Sequence, residues 1–285
     1  MNNNATSNTT CSSSTINNCE ATTKWDRWVP MEKELFHAVQ NLNLCMLQKL
    51  DEMLCRAGVR YWICGGTLLG ALRHSGFIPH DDDIDIEVLV SDLSVIERIP
   101  VDPPLYSGFE RDAGKWEGTM VSKLRFFRGE FEVDVFQRPV DLPIMRNFPS
   151  KDEVFPLHRY KFHDIEVWGP CPRGCETYLD RCYGEDWREI VSVWNHDFNY
   201  YHTKSFDRQK VVLTLSEYNK VVADAGILSP SAEDSADKSF QKFCINKGDS
   251  FLEDYRKYLF QRTFRWNRAD AEWQDEQREK LRQTS

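Results

Sequence analysis

The stretch that decides how this chain folds is "GGTLLGALRHSGFIPHDDDIDIEV", residues 65–88. Two adjacent glycines follow "YWIC" at 61–64, a short apolar run that reads as a strand. "TLLGALRH" reads as a short helix, and Gly76 and Pro79 close it with a turn. Ile84, Ile86, Val88 and Val90 then alternate with Asp83, Asp85 and Glu87, the period of a strand with one apolar face. A strand, a glycine turn, a helix and a second strand thus lie within about thirty residues, a spacing that predicts an α/β domain.

The charges in this stretch need a physical reason. In a strand, residues i and i+2 point to the same side, roughly 6.8 Å apart along the backbone. Asp83 and Asp85 therefore project together, and their carboxylates can converge on one hard cation. Without a cation, clustered carboxylates repel one another. Mg²⁺ takes only one or two protein carboxylates and fills its other positions with water or phosphate. The plain alternative is a solvated acidic loop. Gly65, Gly66 and Thr67 at a helix start offer uncrowded N–H groups, the positive end of a helix dipole and a hydroxyl, which suits phosphate. The alternative there is an ordinary turn. Together, a phosphate cradle beside a metal-binding strand is what polarising a phosphoanhydride requires.

A third carboxylate fits the set. Asp134 lies in "FEVDVF" (131–136), with Phe131, Val133 and Val135 on the opposite face of a strand. An acidic residue at a strand centre needs a partner. That partner is either a shared metal or a salt bridge with Lys123 or Arg125.

Working outward, Leu35, Val39, Leu42, Met46, Leu50 and Met53/Leu54 recur at steps of three and four. This predicts a helix opened by Pro30 and stopped at Gly58. "KLRFF" (123–127) and "FEVDVF" flank Arg128-Gly129-Glu130 as a hairpin, and residues 158–168 form another, turning at His163-Asp164. "CETYLDRCYGEDWREIV" (175–191) reads as helix interrupted at Gly184, and beyond about residue 205 the pattern is helical and charged, with a long polar helix at 249–282. Residues 1–24 are a polar Asn/Ser/Thr-rich tail that reads as disordered. The expected organisation is that tail, a catalytic domain over 25–200 and a helical extension over 201–285.

Composition narrows the function. The 285 residues carry a net charge of −9, which argues against a protein that coats nucleic acid. No apolar run approaches the roughly 20 residues that span a bilayer, and no secretory signal is legible at the N-terminus. The chain therefore reads as soluble and, by default, cytoplasmic. Nine cysteines, an odd number in a long chain, read as mostly free thiols. Cys171, Cys175 and Cys182, with His163 or His158, are a candidate zinc set whose spacing is not that of a common zinc knuckle. The alternative is thiols packed around a turn.

Residues 65–85 closely resemble the signature of the LicD family, which includes bacterial phosphocholine transferases and the eukaryotic fukutin and fukutin-related proteins. The family belongs to the nucleotidyltransferase (polymerase-β-like) superfamily, marked by Gly-Gly or Gly-Ser, then Asp-x-Asp, then a later lone Asp on a strand. Gly65, Gly66 and Thr67 match the first element, Asp83 and Asp85 the second, and Asp134 the third. "KL" at 123–124 and "YGEDW" at 183–187 also resemble family features, and the likeness covers roughly residues 32–190. Relatives usually carry Trp before the acidic block, where this chain has His80, and the 171–182 cysteines do not align with the zinc-binding insertion of fukutin-related protein. Both departures bear on the acceptor site.

The resemblance implies a nucleotidyltransferase-like mixed sheet flanked by helices, with a helical C-terminal extension. It implies transfer of a substituted phosphate, such as phosphocholine or ribitol phosphate, from a CDP-linked donor to a sugar hydroxyl of a glycan. Asp83 and Asp85 would hold Mg²⁺ or Mn²⁺, and Asp134 would share the metal or take the proton from the attacking hydroxyl. The N–H groups of Gly65–Thr67 would hold the donor phosphate. Arg73 or His74 would neutralise a phosphate oxygen or else pair structurally, and Lys123 is a further donor-phosphate candidate. Asp81 and Asp82 would support the loop. Eukaryotic relatives work in the Golgi and bacterial ones in the cytoplasm, which leaves the compartment open. Two rivals remain: a true nucleotidyltransferase that releases pyrophosphate from an NTP, and a non-catalytic scaffold that binds nucleotide or glycan.

Overall fold

Helix α1 (Lys33–Arg56) buries Val39, Leu42, Met46, Leu50, Met53 and Leu54, the spaced apolar positions of its sequence. It ends as Gly58 predicts. Gly58 adopts φ +70°, its N–H donates to the Cys55 carbonyl at 3.1 Å, and Val59 N–H reaches back to Leu54 at 2.9 Å. This pair of bonds satisfies the last carbonyls of the helix. The computed structural model describes residues 33–79, 81, 83–102, 105–116, 119–139, 150–193 and 211–224. The chain divides into Met1–Pro30 and Met31–Ser285, and all the described elements belong to the second unit. The polar tail, Pro30, His80, Asp82 and the helix read at 249–282 fall outside the described residues.

After α1 come β1 (Tyr61–Ile63), α2 (Gly65–His74) and β2 (Asp85–Leu89). A short helix α3 (Leu93–Ile96) leads to β3 (Tyr106–Trp116), β4 (Thr119–Phe126) and β5 (Phe131–Arg138). These five strands form a mixed sheet in the order β1-β2-β5-β4-β3. Only β2 and β5 pair in parallel; every other pairing is antiparallel. The protein has a mixed α/β fold in which helices flank this sheet. One face of the sheet is apolar. Ile63, Ile86, Val88, Leu124, Phe126, Val133 and Val135 are all buried there.

The hairpin at 158–168 is as read: β6 (His158–Phe162) pairs with β7 (Ile165–Gly169) around His163-Asp164. Helix α4 (Pro172–Tyr183) follows, with proline in its first turn.

Two readings fail beyond it. The helix does not resume after Gly184. Gly184 takes φ +96°, Asp186 accepts N–H groups from Glu189 and Ile190, and the chain enters strand β8 (Ile190–Val193). Residues 211–214 are likewise strand (β9), paired antiparallel with β8, before helix α5 (Leu215–Asp224). The β-branched pairs Val191/Val193 and Val211/Val212 favour extended backbone, and pairing overrides the weak helical pattern. Among the described residues, no helix is long and apolar enough to cross a membrane.

Candidate active site

The glycine turn is fastened to the acidic strand. Cys64 N–H donates to the Asp85 carbonyl at 3.1 Å, and Asp85 N–H donates to Thr67 Oγ1 at 2.9 Å. Thr67 is fully buried, so its hydroxyl fixes Asp85 rather than facing a ligand. Gly65 adopts φ +55°, a conformation that side chains disfavour. A Cβ on Gly65 would lie 2.6 Å from Asp85 Oδ2, and one on Gly66 would lie 2.7 Å from Asp81 Oδ2. A side chain at either glycine would have to push an aspartate carboxylate aside, and at Gly65 the left-handed backbone disfavours one as well. The turn is shaped around carboxylates.

Asp85 and Asp134 sit side by side, since β2 and β5 place them in register. Asp83 lies just before β2, and Asp134 N–H donates to the carbonyl of Ile84 between the two aspartates at 3.0 Å. Burial, followed by the charges of Asp83 and Asp134, pushes the Asp85 carboxyl well above the usual carboxylate range. Burial also raises Asp134, against an opposing pull from Lys123. Negative charge is being held together at a cost. Among the described residues, though, no group of three His, Cys, Asp or Glu side chains converges as a metal-ligand set. The donors present fit a hard cation that takes one or two carboxylates and fills the remainder of its shell elsewhere.

The loop carrying the aspartates is pinned from two sides. Gln40 of α1, fully buried, aims Nε2 at the carbonyls of Ile78 (3.3 Å) and Asp81 (3.2 Å). From the β6–β7 hairpin, His163 Nε2 accepts Phe77 N–H at 2.9 Å, while His163 N–H donates to Ser75 at 2.6 Å. Burial lowers the His163 pKa to about 4, which keeps the ring neutral and able to accept.

Several expected residues have other partners. Gly65 N–H already donates to the Tyr178 hydroxyl of α4 at 2.9 Å. Arg73 Nη1 bonds the carbonyls of Trp187 (3.0 Å) and Ile190 (3.3 Å), and its Nε donates to His74 Nε2 at 3.0 Å. These two residues lie at the far end of α2, about 12 Å from Gly65 along the axis. Arg73 thereby ties α2 to the 187–190 turn. Lys123 Nζ lies 2.7 Å from Asp134 Oδ1 and also bonds Glu132. Burial would lower its pKa, but the bonds to Asp134 and Glu132 outweigh this and raise it.

The zinc candidates do not assemble. Cys171 caps α4 by accepting Gly174 N–H, Cys175 is buried beside the Tyr160 hydroxyl, and Cys182 is exposed. His163 is committed to Phe77 and His158 is exposed at the start of β6.

Sequence reasoning missed Gln40, Tyr178 and the pair behind the site. Glu87 is fully buried, bonded by Arg138 and by Trp62 Nε1 at 2.7 Å. Its place in the alternation was visible, but alternation does not distinguish a solvated charge from a buried, paired one. Tyr178 is 113 positions from Gly65, with no local signal linking them.

Residues 58–172 match the family model described as LicD/FKTN/FKRP, nucleotidyltransferase domain. This segment is similar to a LicD-family domain. A Rickettsia typhi protein described as uncharacterized is 34% identical over 179 residues, covering 61% of this chain and 56% of its own length. The mouse protein named ribitol-5-phosphate transferase FKTN is 27% identical over 160 residues, 53% of this chain and 34% of that one. The Haemophilus influenzae protein named lipopolysaccharide cholinephosphotransferase LicD is 43% identical over 56 residues, 20% of this chain and 21% of its own. The chain thus spans little more than half the length of two curated relatives that it matches. The LicD-family match contains the glycine turn, the acidic strand and Asp134, while α4 and its Tyr178 lie almost wholly beyond it.

Proposed function

We propose that the protein is a LicD-type phosphotransferase, moving a substituted phosphate from a CDP-linked donor to a sugar hydroxyl of a glycan. The observation that carries this reading is the register of Asp85 beside Asp134, directly against the glycine turn. The names of two similar proteins, a ribitol-5-phosphate transferase and a cholinephosphotransferase, support the reaction class.

In this reading Asp83 and Asp85 hold Mg²⁺ or Mn²⁺. Such an ion supplies charge neutralisation to the diphosphate as the bond to CMP breaks. Thr67 orients Asp85 through its main-chain N–H, and Gln40 and His163 hold the loop that presents the aspartates. Gly66 and Thr67 N–H lie in the first turn of α2, where the helix itself provides no acceptor, and are the groups best placed for a donor phosphate oxygen. Asp134 receives the proton of the attacking hydroxyl as its oxygen bonds to phosphorus.

The test is CMP release. The protein, with Mg²⁺ or Mn²⁺ and a panel of glycan acceptors, is incubated with CDP-choline, CDP-ribitol or CTP. The reading expects CMP from one CDP-alcohol, lost in Asp134→Asn by at least about 100-fold, the scale of general-base catalysis. Pyrophosphate released from CTP would instead establish the nucleotidyltransferase reading.

A further inference from the structure

We infer that Lys123 is a resident cation at Asp134, so that the acidic site takes one divalent ion at Asp83 and Asp85 rather than two. The inference rests on the metal-dependent reading above and deepens it.

A row of charge crosses the sheet. Register places Asp85 beside Asp134, Asp134 beside Lys123, and Lys123 beside Glu110 of the edge strand. Asp134 is therefore flanked by an aspartate on one side and by an ammonium on the other. Lys123 Nζ lies 2.7 Å from Asp134 Oδ1, and the two side chains are only 23% and 36% exposed. Water screens such a pair less than a fully exposed one.

Lys123 is also held in place from behind. It bonds Glu132, whose other oxygen is taken by Arg125, and Arg125 in turn bonds Glu110. The signs alternate along Glu110, Arg125, Glu132, Lys123 and Asp134. Each cation lies between two carboxylates, so moving Lys123 away from Asp134 would leave Asp134 facing Asp85 with no compensation.

The charge count follows. Lys123, shared between Glu132 and Asp134, places a positive charge against Asp134, whereas Asp83 and Asp85 are left for one divalent ion to balance. A second ion at Asp134 would have to displace the ammonium or accept its repulsion as a neighbour.

The test titrates Mn²⁺ into the full chain, counting free ion by electron paramagnetic resonance, with folding of each variant checked by circular dichroism. Wild type is expected to bind one Mn²⁺. Lys123→Met, which frees Asp134, is expected to bind a second ion or to bind the first at least about tenfold more tightly, given the strength of a unit charge at this range. Lys123→Met/Asp134→Asn, which removes the pair together, should return to one ion with an affinity within about threefold of wild type, as a neutral pair deletion requires. Two ions in wild type, no change in Lys123→Met, or loss of binding in the double variant would each overturn the assignment while leaving metal dependence intact. No Mn²⁺ binding by wild type would overturn the metal reading, and this assignment with it. If Lys123→Met does not fold, the wild-type count and the double variant still decide.

Discussion

Gly65 and Arg138 carry constraints that act through single side chains. At Gly65 a methyl group meets two obstacles: a backbone at φ +55° and the Asp85 carboxylate 2.6 Å away. Gly65→Ala is expected to cost about 1–3 kcal/mol, the range for a side chain forced into such a conformation. It should also displace Asp85, so Mn²⁺ affinity should fall together with the melting temperature. Unchanged Mn²⁺ affinity in a folded variant would separate the turn from the metal site. Arg138 presents a different case, because it is the buried counter-ion of fully buried Glu87. Arg138→Met leaves that carboxylate unpaired and is expected to destabilise by about 3–5 kcal/mol in urea unfolding. Glu87→Gln/Arg138→Met removes both charges and should recover much of the loss. At this scale the sequence was partly legible. The glycines and aspartates marked themselves by composition, whereas Glu87 looked like one more polar residue in an alternation, and only its partners Trp62 and Arg138, 25 and 51 positions away, give it meaning.

Among the elements, the hairpins were the most legible, because turn residues and alternating apolar positions fix both the strands and their register locally. The Arg128-Gly129-Glu130 and His163-Asp164 turns fall where the sequence puts them. Strands β8 and β9 were not legible, since each is four residues long and owes its state to a partner about twenty positions away. The β6–β7 hairpin also has a role that no local pattern announces, as its tip holds the loop leading to the aspartates through neutral His163. That contact has a pH signature. The His163 pKa falls from 6.5 to about 4 through burial, so the unfolded chain binds more protons than the folded one between these values. Stability is thus fully present above about pH 6.5 and declines as pH falls toward 4. For this one histidine the loss at pH 5 is about 2 kcal/mol. His163→Gln keeps an acceptor for Phe77 N–H but does not titrate, and should show a drop between pH 7 and pH 5 that is smaller by that amount in urea midpoints. An equal drop in both proteins would remove His163 as the source.

For the molecule as a whole, one sheet gathers contributions from distant parts of the chain. One face is apolar and builds the core. The other carries charge, and along it Asp85, Asp134 and Lys123 meet where β2, β5 and β4 adjoin. Around that meeting point, α1 supplies Gln40, α2 the glycine turn, the β6–β7 hairpin His163 and α4 Tyr178. An arrangement that concentrates repelling carboxylates on a rigid frame is unfavourable for the empty protein and suited to a cation and its phosphate ligand. The most direct measurement is calorimetric titration of CDP-choline and CDP-ribitol, with and without Mn²⁺, into wild type and Asp83→Asn/Asp85→Asn. The account predicts binding of one CDP-alcohol that needs Mn²⁺ and disappears in the double variant. Binding that is indifferent to Mn²⁺, or that survives loss of both aspartates, would contradict it.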